Sequence, residues 1–427
     1  MSNVQTSCSE LMRSDISGFY ELSVDERLKI VKDMCNLTEE EGELLRKTGC
    51  LSLAKSDKMI ENVIGTIELP LGIATNFIIN RREVLIPMSI EEPSVVAAAS
   101  HAAKLARPLG FTAKSGPPIM IGQIQLMDAP PDSKTKIMAA KDNIFEIANS
   151  KDSTLIKLGG GLKDIEVRVI DSARGKMTIV HLLVDVRDAM GANAVNTMCE
   201  SVAPFIEELT GARSVLKIIS NLAVYRLTYA EAVWKRDVLG DDVIEGILDA
   251  YEFAVADPFR CATHNKGIMN GIDAVLVATG NDFRAAEAGA HAFAAIDGYK
   301  PLTQYRKDSN GNLVGSIKLP MVAGVVGGTT NSNPIAKISI KILNAEHANE
   351  LSEIVASVGL ANNFAAMRAM VKEGIQKGHM KLHANNIALA AGATHDEVPA
   401  VTSMMLAENK ISVARASELL NTLRKVE

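Results

Sequence analysis

The sequence predicts an α+β protein: a helix-rich large domain, a small domain inserted into it with the order β-α-β-β-α-β, and a helical segment at the C-terminus. Three observations lead there. With 427 residues and 47% hydrophobic composition, the chain can bury a large core and is longer than most single domains. From Pro117 the pattern turns to β-rich runs separated by two helical stretches, and beyond residue 220 it becomes rich in Ala and Met with helical spacing. Near the C-terminus, Gly and polar residues break the pattern into three short helical pieces.

Taken in order, the first stretch reads as short helices. Ser23-Val-Asp-Glu26 and Thr38-Glu-Glu-Glu41 match the capping box, in which a hydroxyl and the third-residue carboxylate satisfy each other's backbone donors. Glu39 to Glu41 is then the solvated start of a helix. Glu91-Glu92-Pro93-Ser94 precedes the Ala-rich run Val95 to Ala106; Pro93 suits the first helical position, where its missing N–H is not needed, and the acids complement the helix dipole. Ile119 to Leu126, Ile165 to Asp171, Met177 to Val186 and Val215 to Ser220 are the β-rich runs. Lys136 to Asn149 and Ala192 to Leu209 are the helices between them, which makes residues 117 to 220 a ferredoxin-like unit. The rest of the large domain has helices at Val243 to Ala254, Ala285 to Ala295, Ala345 to Val358 and Phe364 to Gly374, with strand-like Ser316 to Leu319 among them. Met380 to Ala391, Asp396 to Asn409 and Val413 to Arg424 form a terminal piece able to move as a unit. The expected division is 1–116 and 221–373 for the large domain, 117–220 for the inserted one and 374–427 for a terminal flap.

Charge and cysteine usage exclude several classes. The formal net charge of −6 comes from interspersed acids and bases, so no basic stripe suggests nucleic acid or an anionic membrane surface. Cys8, Cys35, Cys50, Cys199 and Cys261 are odd in number and lack CxxC or zinc spacing, which fits reduced thiols in a cytoplasm. Apolar runs such as Val95 to Ala99 and Ala274 to Ala278 fall short of the roughly 20 residues of a membrane helix. The polar N-terminus has no apolar signal region, so the protein is expected to be soluble and unanchored.

Individually, the candidate sites are weak. Gly159-Gly-Gly161-Leu-Lys-Asp164 nearly spells a dinucleotide fingerprint, but a strand follows it, and it reads as a tight turn. Asp185-Val-Arg-Asp-Ala-Met-Gly191-Ala-Asn193 takes a strand into a helix with glycine at the junction, where free N–H groups suit a pyrophosphate. His379 and His383 have i, i+4 spacing but lack an intervening Glu and a third ligand, so they are not read as a metal site. Lys266 sits in an apparent polar turn before the apolar run Ile272 to Ala278, which ends in Thr279-Gly-Asn-Asp282; alone, such a Lys and Asp are more often a surface salt bridge.

Together these motifs resemble the class II hydroxymethylglutaryl-CoA (HMG-CoA) reductases, over nearly the whole chain from Glu61. The stretches that carry the resemblance are Glu61-Asn-Val-Ile-Gly-Thr66, Glu91-Glu-Pro-Ser94, Asp188-Ala-Met-Gly-Ala-Asn193, Ala262 to Asn270, Thr279-Gly-Asn-Asp282 and Gly378-His379-Met380. The resemblance implies four-electron reduction of HMG-CoA to mevalonate and CoA, through hemithioacetal and mevaldehyde stages, with two nicotinamide cofactors. It implies that Glu92, Lys266, Asp282 and His379 are catalytic, that Ser94, Asn221, Arg260 and Asn270 contact the hydroxymethylglutaryl group, and that Asp152, Asp188, Met190, Gly191 and Asn193 bind the dinucleotide. It also implies a homodimer with the site between subunits, possibly assembled further, and no metal. A carboxylate at Asp152 favours NADH over NADPH, because it accepts from ribose hydroxyls and repels a 2′-phosphate. Glu92 must hold a proton to act as donor beside Lys266; burial and a neighbouring Asp282 would provide for that.

Three positions depart from the family pattern: Leu162 for Cys, Asn362 for Gln and Asn385 for Arg, the last two touching the expected CoA contacts. A reductase of another acyl-CoA, or a silent CoA-thioester-binding protein, are the rival readings. The first should lack Arg260 and the second one of the four catalytic positions; all are present.

Overall fold

The computed structural model describes residues 13–372, 384–394 and 396–426. The strands are β1 (Leu71–Ile79), β2 (Arg82–Ser89), β3 (Phe111–Ser115), β4 (Ile119–Met127), β5 (Gly161–Ser172), β6 (Gly175–Asp185), β7 (Arg213–Ser220), β8 (Leu227–Trp234), β9 (Thr303–Lys307) and β10 (Leu313–Pro320). They form two sheets, ordered β2-β1-β3-β8-β10-β9 and β5-β6-β4-β7.

The four-stranded sheet has antiparallel neighbours throughout and the expected βαββαβ order. Its second helix, Ala192–Thr210, turns Val195, Met198, Cys199, Val202 and Ile206 inward. Gly122 on β4 admits this helix, since a Cβ there would lie 2.4 Å from the Cys199 sulfur. The first helix differs from expectation. Lys136 to Asn149 is split into Ser133–Ala139 and Lys141–Asn149, because the Ala140 N–H bonds both Lys136 and Ile137 carbonyls in a tightened turn.

The six-stranded sheet is the larger correction, since only β10 was expected in this part of the chain. On β2, six successive residues are buried, so no alternation marks it as a strand. On β8, the inward positions include Ala230 and Ala232, which favour helices in isolation. The two helices expected at Ala345 to Val358 and Phe364 to Gly374 are one, Ala348–Lys372. Gly359 within it lets this helix cross the helix Pro258–Ala278: a Cβ there would lie 2.8 Å from Ile272. By length and composition Ala348–Lys372 could cross a membrane, yet 67% of its most apolar window is buried within the protein. Phe364 on it stacks on Trp234 with centroids 3.8 Å apart, tying it to the sheet.

Both capping boxes form, at Ser23/Glu26 and Thr38/Glu41. At the C-terminus, helix 384–390 and the helices Val398–Ala407 and Val413–Val426 surround an apolar cluster of their own, including Ala388, Val401, Met405 and Leu420. Its polar ties are internal too: Arg424 pairs with Glu397 at 2.7 Å, and Thr402 donates to Asn385 at 2.9 Å.

Candidate active site

Lys266 is not in a turn. It lies in the middle of the helix Pro258–Ala278, which opens with Asp257 accepting from the Arg260 N–H and with Pro258 in the first turn. Two of the polar residues that suggested a turn, His264 and Asn265, are buried and take hydrogen-bond partners from outside the helix, although the His264 Nδ1 has none among the described residues. His264 pairs with the Thr303 hydroxyl at 2.6 Å, while Asn265 donates to the Lys300 carbonyl and accepts from Leu302 N–H. Burial, with Arg260 adding to it, pulls His264 down to about 3, so it is a neutral structural histidine.

The Lys266 ammonium reaches Glu92 Oε2 at 2.8 Å, although the two are 174 residues apart. Their side chains are 60% and 35% exposed. Glu92 lies in the loop between β2 and the helix Val95–Ala106. That helix begins after Ser94, whose left-handed φ of 78° turns the chain, so Pro93 lies outside the helix rather than at its first position. Such a conformation is sparsely populated for a non-glycine residue and marks functional sites often enough to be informative. The Ser94 hydroxyl is buried without a hydrogen-bond partner. Beneath it, Asn362 is buried and donates to the Val95 carbonyl at 3.4 Å, which ties the long helix to the Glu92 loop.

Arg260 is half-buried, and its guanidinium faces the sulfurs of Met367 and Met370 at 3.4 and 3.8 Å. No described carboxylate bonds it, which leaves its planar fork available to one. Asn270 lies one turn beyond Lys266, on the same face of the helix. The Asn221 backbone carbonyl packs against Gly289, where a Cβ would lie 2.5 Å away. Asp282 caps the helix Phe283–Ala294, accepting from Ala285 N–H at 3.1 Å and pairing with Arg284 at 3.2 Å. None of the described hydrogen bonds joins it to Lys266 or Glu92. His379 and His383 lie outside the described residues.

One cluster near this helix pair escaped sequence reasoning. His291 bonds Glu287 at 2.8 Å and the Tyr299 hydroxyl at 2.9 Å, and Asp273, two turns beyond Lys266, presses its carboxyl against Glu287. Burial, with Glu287 adding to it, pushes the Asp273 carboxyl up to about 8, while the His291 contact holds Glu287 below its usual range. Folded Asp273 therefore keeps a proton that the unfolded chain gives up above about pH 4. Its proton uptake makes stability fall as pH rises from about 4 to 8. Asp273→Asn has no proton to take up, so its thermal stability should gain on the wild type between about pH 5 and pH 8; a constant difference would refute the shared-proton arrangement.

On the small sheet, β6 ends at Asp185 and Gly191 (φ 99°) caps the helix Ala192–Thr210. A Cβ on Gly191 would lie 2.4 Å from Val186, so the close turn requires glycine. A helix start of this kind offers free first-turn N–H groups and a positive dipole end, and here Asn193 is exposed while Met190 packs against the core. Gly159 and Gly161 have positive φ and form the expected tight turn into β5. Arg187 reaches from the glycine loop to the Gly159 carbonyl at 2.6 Å. Asp152 sits just before this turn and caps the short helix Ser153–Lys157 through Leu155 N–H. The Asp188 carboxylate is engaged with Ala348 N–H at 2.9 Å and His347 at 3.2 Å.

A cavity of about 1200 Å³ opens beside the helix Val95–Ala106, bounded by the helix Val24–Met34 and β1. It is larger than the roughly 300–1,000 Å³ of ordinary small-molecule pockets. Arg27, Arg46, Lys104 and Arg107 bring positive charge to it, partly offset by Asp15 and Asp25. No sequence motif had marked these residues, because they come from three helices distant in sequence.

A family profile for hydroxymethylglutaryl-coenzyme A reductase matches residues 23–384. The chain belongs to this family. Among its reductase relatives is the 3-hydroxy-3-methylglutaryl-coenzyme A reductase of Archaeoglobus fulgidus, 60% identical over 417 residues, covering 97% of this chain and 95% of the relative. A probable HMG-CoA reductase of Borreliella burgdorferi is 36% identical and covers 87% and 88%. A solved class II HMG-CoA reductase from Streptococcus pneumoniae, bound to NADPH in open conformations, is 41% identical. It superposes with a TM-score of 0.80 over 94% of this chain and 100% of that one. The reductase resemblance and the α+β fold class read from the sequence are both borne out.

Proposed function

We propose that this HMG-CoA reductase works through Lys266, Glu92, Asp282 and His379, and reduces HMG-CoA to mevalonate and CoA with two equivalents of NADH. The observation that carries the assignment is the 2.8 Å contact between Lys266 and Glu92, which joins two family motifs through partly exposed side chains. Lys266 is the oxyanion partner when the thioester carbonyl is reduced. Glu92 is the donor to the aldehyde oxygen, Asp282 tunes both, and His379 protonates the departing CoA thiolate. The donor role requires Glu92 to exchange its bond to Lys266 for a proton, which a move of Asp282 toward the pair would favour.

Arg260 is suited to the substrate carboxylate, since its fork has no acid partner among the described residues, and Ser94 offers a buried hydroxyl with no partner among them. Asn221 and Asn270 complete the hydroxymethylglutaryl contacts. We assign the cavity beside Val95–Ala106 to CoA, on its size and on the basic residues at its wall. The bound nicotinamide supplies hydride. The glycine loop Asp188–Asn193 fits its pyrophosphate, because Gly191 permits close approach at a helix N-terminus. On this reading residues 117–220 are the dinucleotide domain, 1–116 and 221–373 the large domain, and 374–427 the flap. The segment from Ile60 to Leu69 supports a dimer, since Ile64 and Ile67 are 101% and 94% exposed in the single chain. Cys35, Cys50, Cys199 and Cys261 are free thiols, which fits the cytoplasm.

The test is a spectrophotometric assay with HMG-CoA and each cofactor in both directions. Asp152 favours NADH, so kcat/KM should be about tenfold higher with NADH than with NADPH, the difference of roughly one charge contact. The pneumococcal relative binds NADPH. Equal efficiency here would remove Asp152 from cofactor choice, and no oxidation of either cofactor with HMG-CoA would overturn the whole assignment.

A further inference from the structure

Residues 321–326, which follow β10, lie between two parts of the site that do not otherwise share a motif. Toward the glycine loop, Val325 N–H donates to the Asp188 carbonyl at 2.9 Å. Gly324 packs so closely that a Cβ would lie 2.7 Å from Met190 N and 2.9 Å from Ala189 C. Toward the other side, Gly324 N–H donates to Asn281 Oδ1 at 2.8 Å, and Asn281 is the neighbour of Asp282. Asn281 is itself fixed, donating its amide to the Thr279 hydroxyl at 3.0 Å and its N–H to the Leu276 carbonyl at 2.8 Å.

Arg226 pins the same segment from below. It is 3% exposed, and its guanidinium bonds three main-chain carbonyls: Ala323 at 2.5 Å, Ala189 at 3.2 Å and Met190 at 3.4 Å. Its own carbonyl accepts from Met321 N–H at 3.1 Å. Burial pulls it down to about 10 while Asp185 and Asp188 oppose that, so it is charged at neutral pH. A buried guanidinium spent on carbonyls of two segments fixes their relative position, since separating them would leave charge and acceptors unpaired.

We propose that residues 321–326 are a strap that couples the position of the glycine loop Asp188–Asn193 to that of Asp282, with Arg226 and Asn281 as its positioning residues. This rests on the roles proposed above for the loop and for Asp282. Seating of a dinucleotide on the loop is then felt at the Asn281–Asp282 turn, because neither junction has slack. A misplacement of about 1 Å at a reacting group costs on the order of a hundredfold in rate, so small displacements matter.

The test is a double-mutant cycle. Asn281→Ala should leave the cofactor Kd within about twofold and lower kcat about tenfold. Arg226→Lys keeps the charge but loses the fork, and should weaken cofactor binding about tenfold and lower kcat as well. If both act through one strap, the kcat loss of the double variant should be smaller than the product of the single losses by at least about fivefold. Losses that multiply to within about twofold, or an unchanged kcat in Asn281→Ala, would overturn the strap. Should Arg226→Lys fail to fold by circular dichroism, Gly324→Ala takes its place in the cycle, with the same expectation. Asp282→Asn separates the two readings: if it is inactive while the cycle is multiplicative, the strap alone fails; if it is active, the role of Asp282 fails first.

Discussion

Lys266→Ala is expected to lower kcat/KM for HMG-CoA about a thousandfold while leaving cofactor affinity within about twofold. An ammonium about 4 Å from a developing oxyanion contributes about 4 kcal/mol at an effective dielectric near 20, which corresponds to roughly that factor in rate. The charge is delivered from the middle of a helix held by Asp257, Pro258 and the buried pairs of His264 and Asn265, so truncation removes the ammonium without loosening its support. Because the side chain is exposed, the fold should survive. Cofactor binding, read by nicotinamide fluorescence, is the control, since the glycine loop lies on the other sheet. Turnover retained to within about tenfold would end the oxyanion role, because it would leave most of the expected 4 kcal/mol unaccounted for.

The small sheet was legible in the sequence because its strands follow simple patterns, as in the alternation of β5, and because its long helix carries one apolar face. The large sheet was not. β2 is covered on both faces, so its apolar run has no period, and β8 builds its inward face partly from alanine. Gly359 shows the same limit from the other side: nothing in the sequence around it says that it serves a close crossing with Ile272, which only the tertiary structure reveals.

At the candidate site, the motifs proposed the residues, but the geometry of those the structure describes depends on long-range packing. Local polarity placed Lys266 in a turn, because nothing in the sequence says that His264 and Asn265 are satisfied by Thr303 and Leu302. Its partner Glu92 was visible only through resemblance. The cavity wall at Arg27, Arg46 and Lys104, and the Asp273–Glu287–His291 cluster, have no sequence signature, since each gathers side chains from separate elements.

Removal of residues 374–427 is expected to abolish reduction of HMG-CoA, by at least about a hundredfold, yet to leave substantial reduction of mevaldehyde. The two half-reactions differ in what must leave. On the proposed assignment, collapse of the hemithioacetal expels a thiolate that His379 protonates, a downhill transfer of about two units for an ordinary thiol of about 8.5 and an ordinary imidazolium of about 6.5. The aldehyde stage expels nothing and, on the same assignment, needs only Lys266 and Glu92. General acid catalysis contributes about a hundredfold to ten-thousandfold, which sets the expected loss on the thioester. The truncation is clean in folding terms: the terminal helices bury Ala388, Val401, Met405 and Leu420 among themselves, separate from the main core. The main body should therefore keep its thermal transition. His379→Gln in the full chain should reproduce the thioester defect with the flap in place, so that loss of the acid is distinguished from loss of closure. If the truncated protein reduced HMG-CoA as well as the intact one, or if both substrates failed equally in His379→Gln, the flap would not be the source of the thiolate's proton.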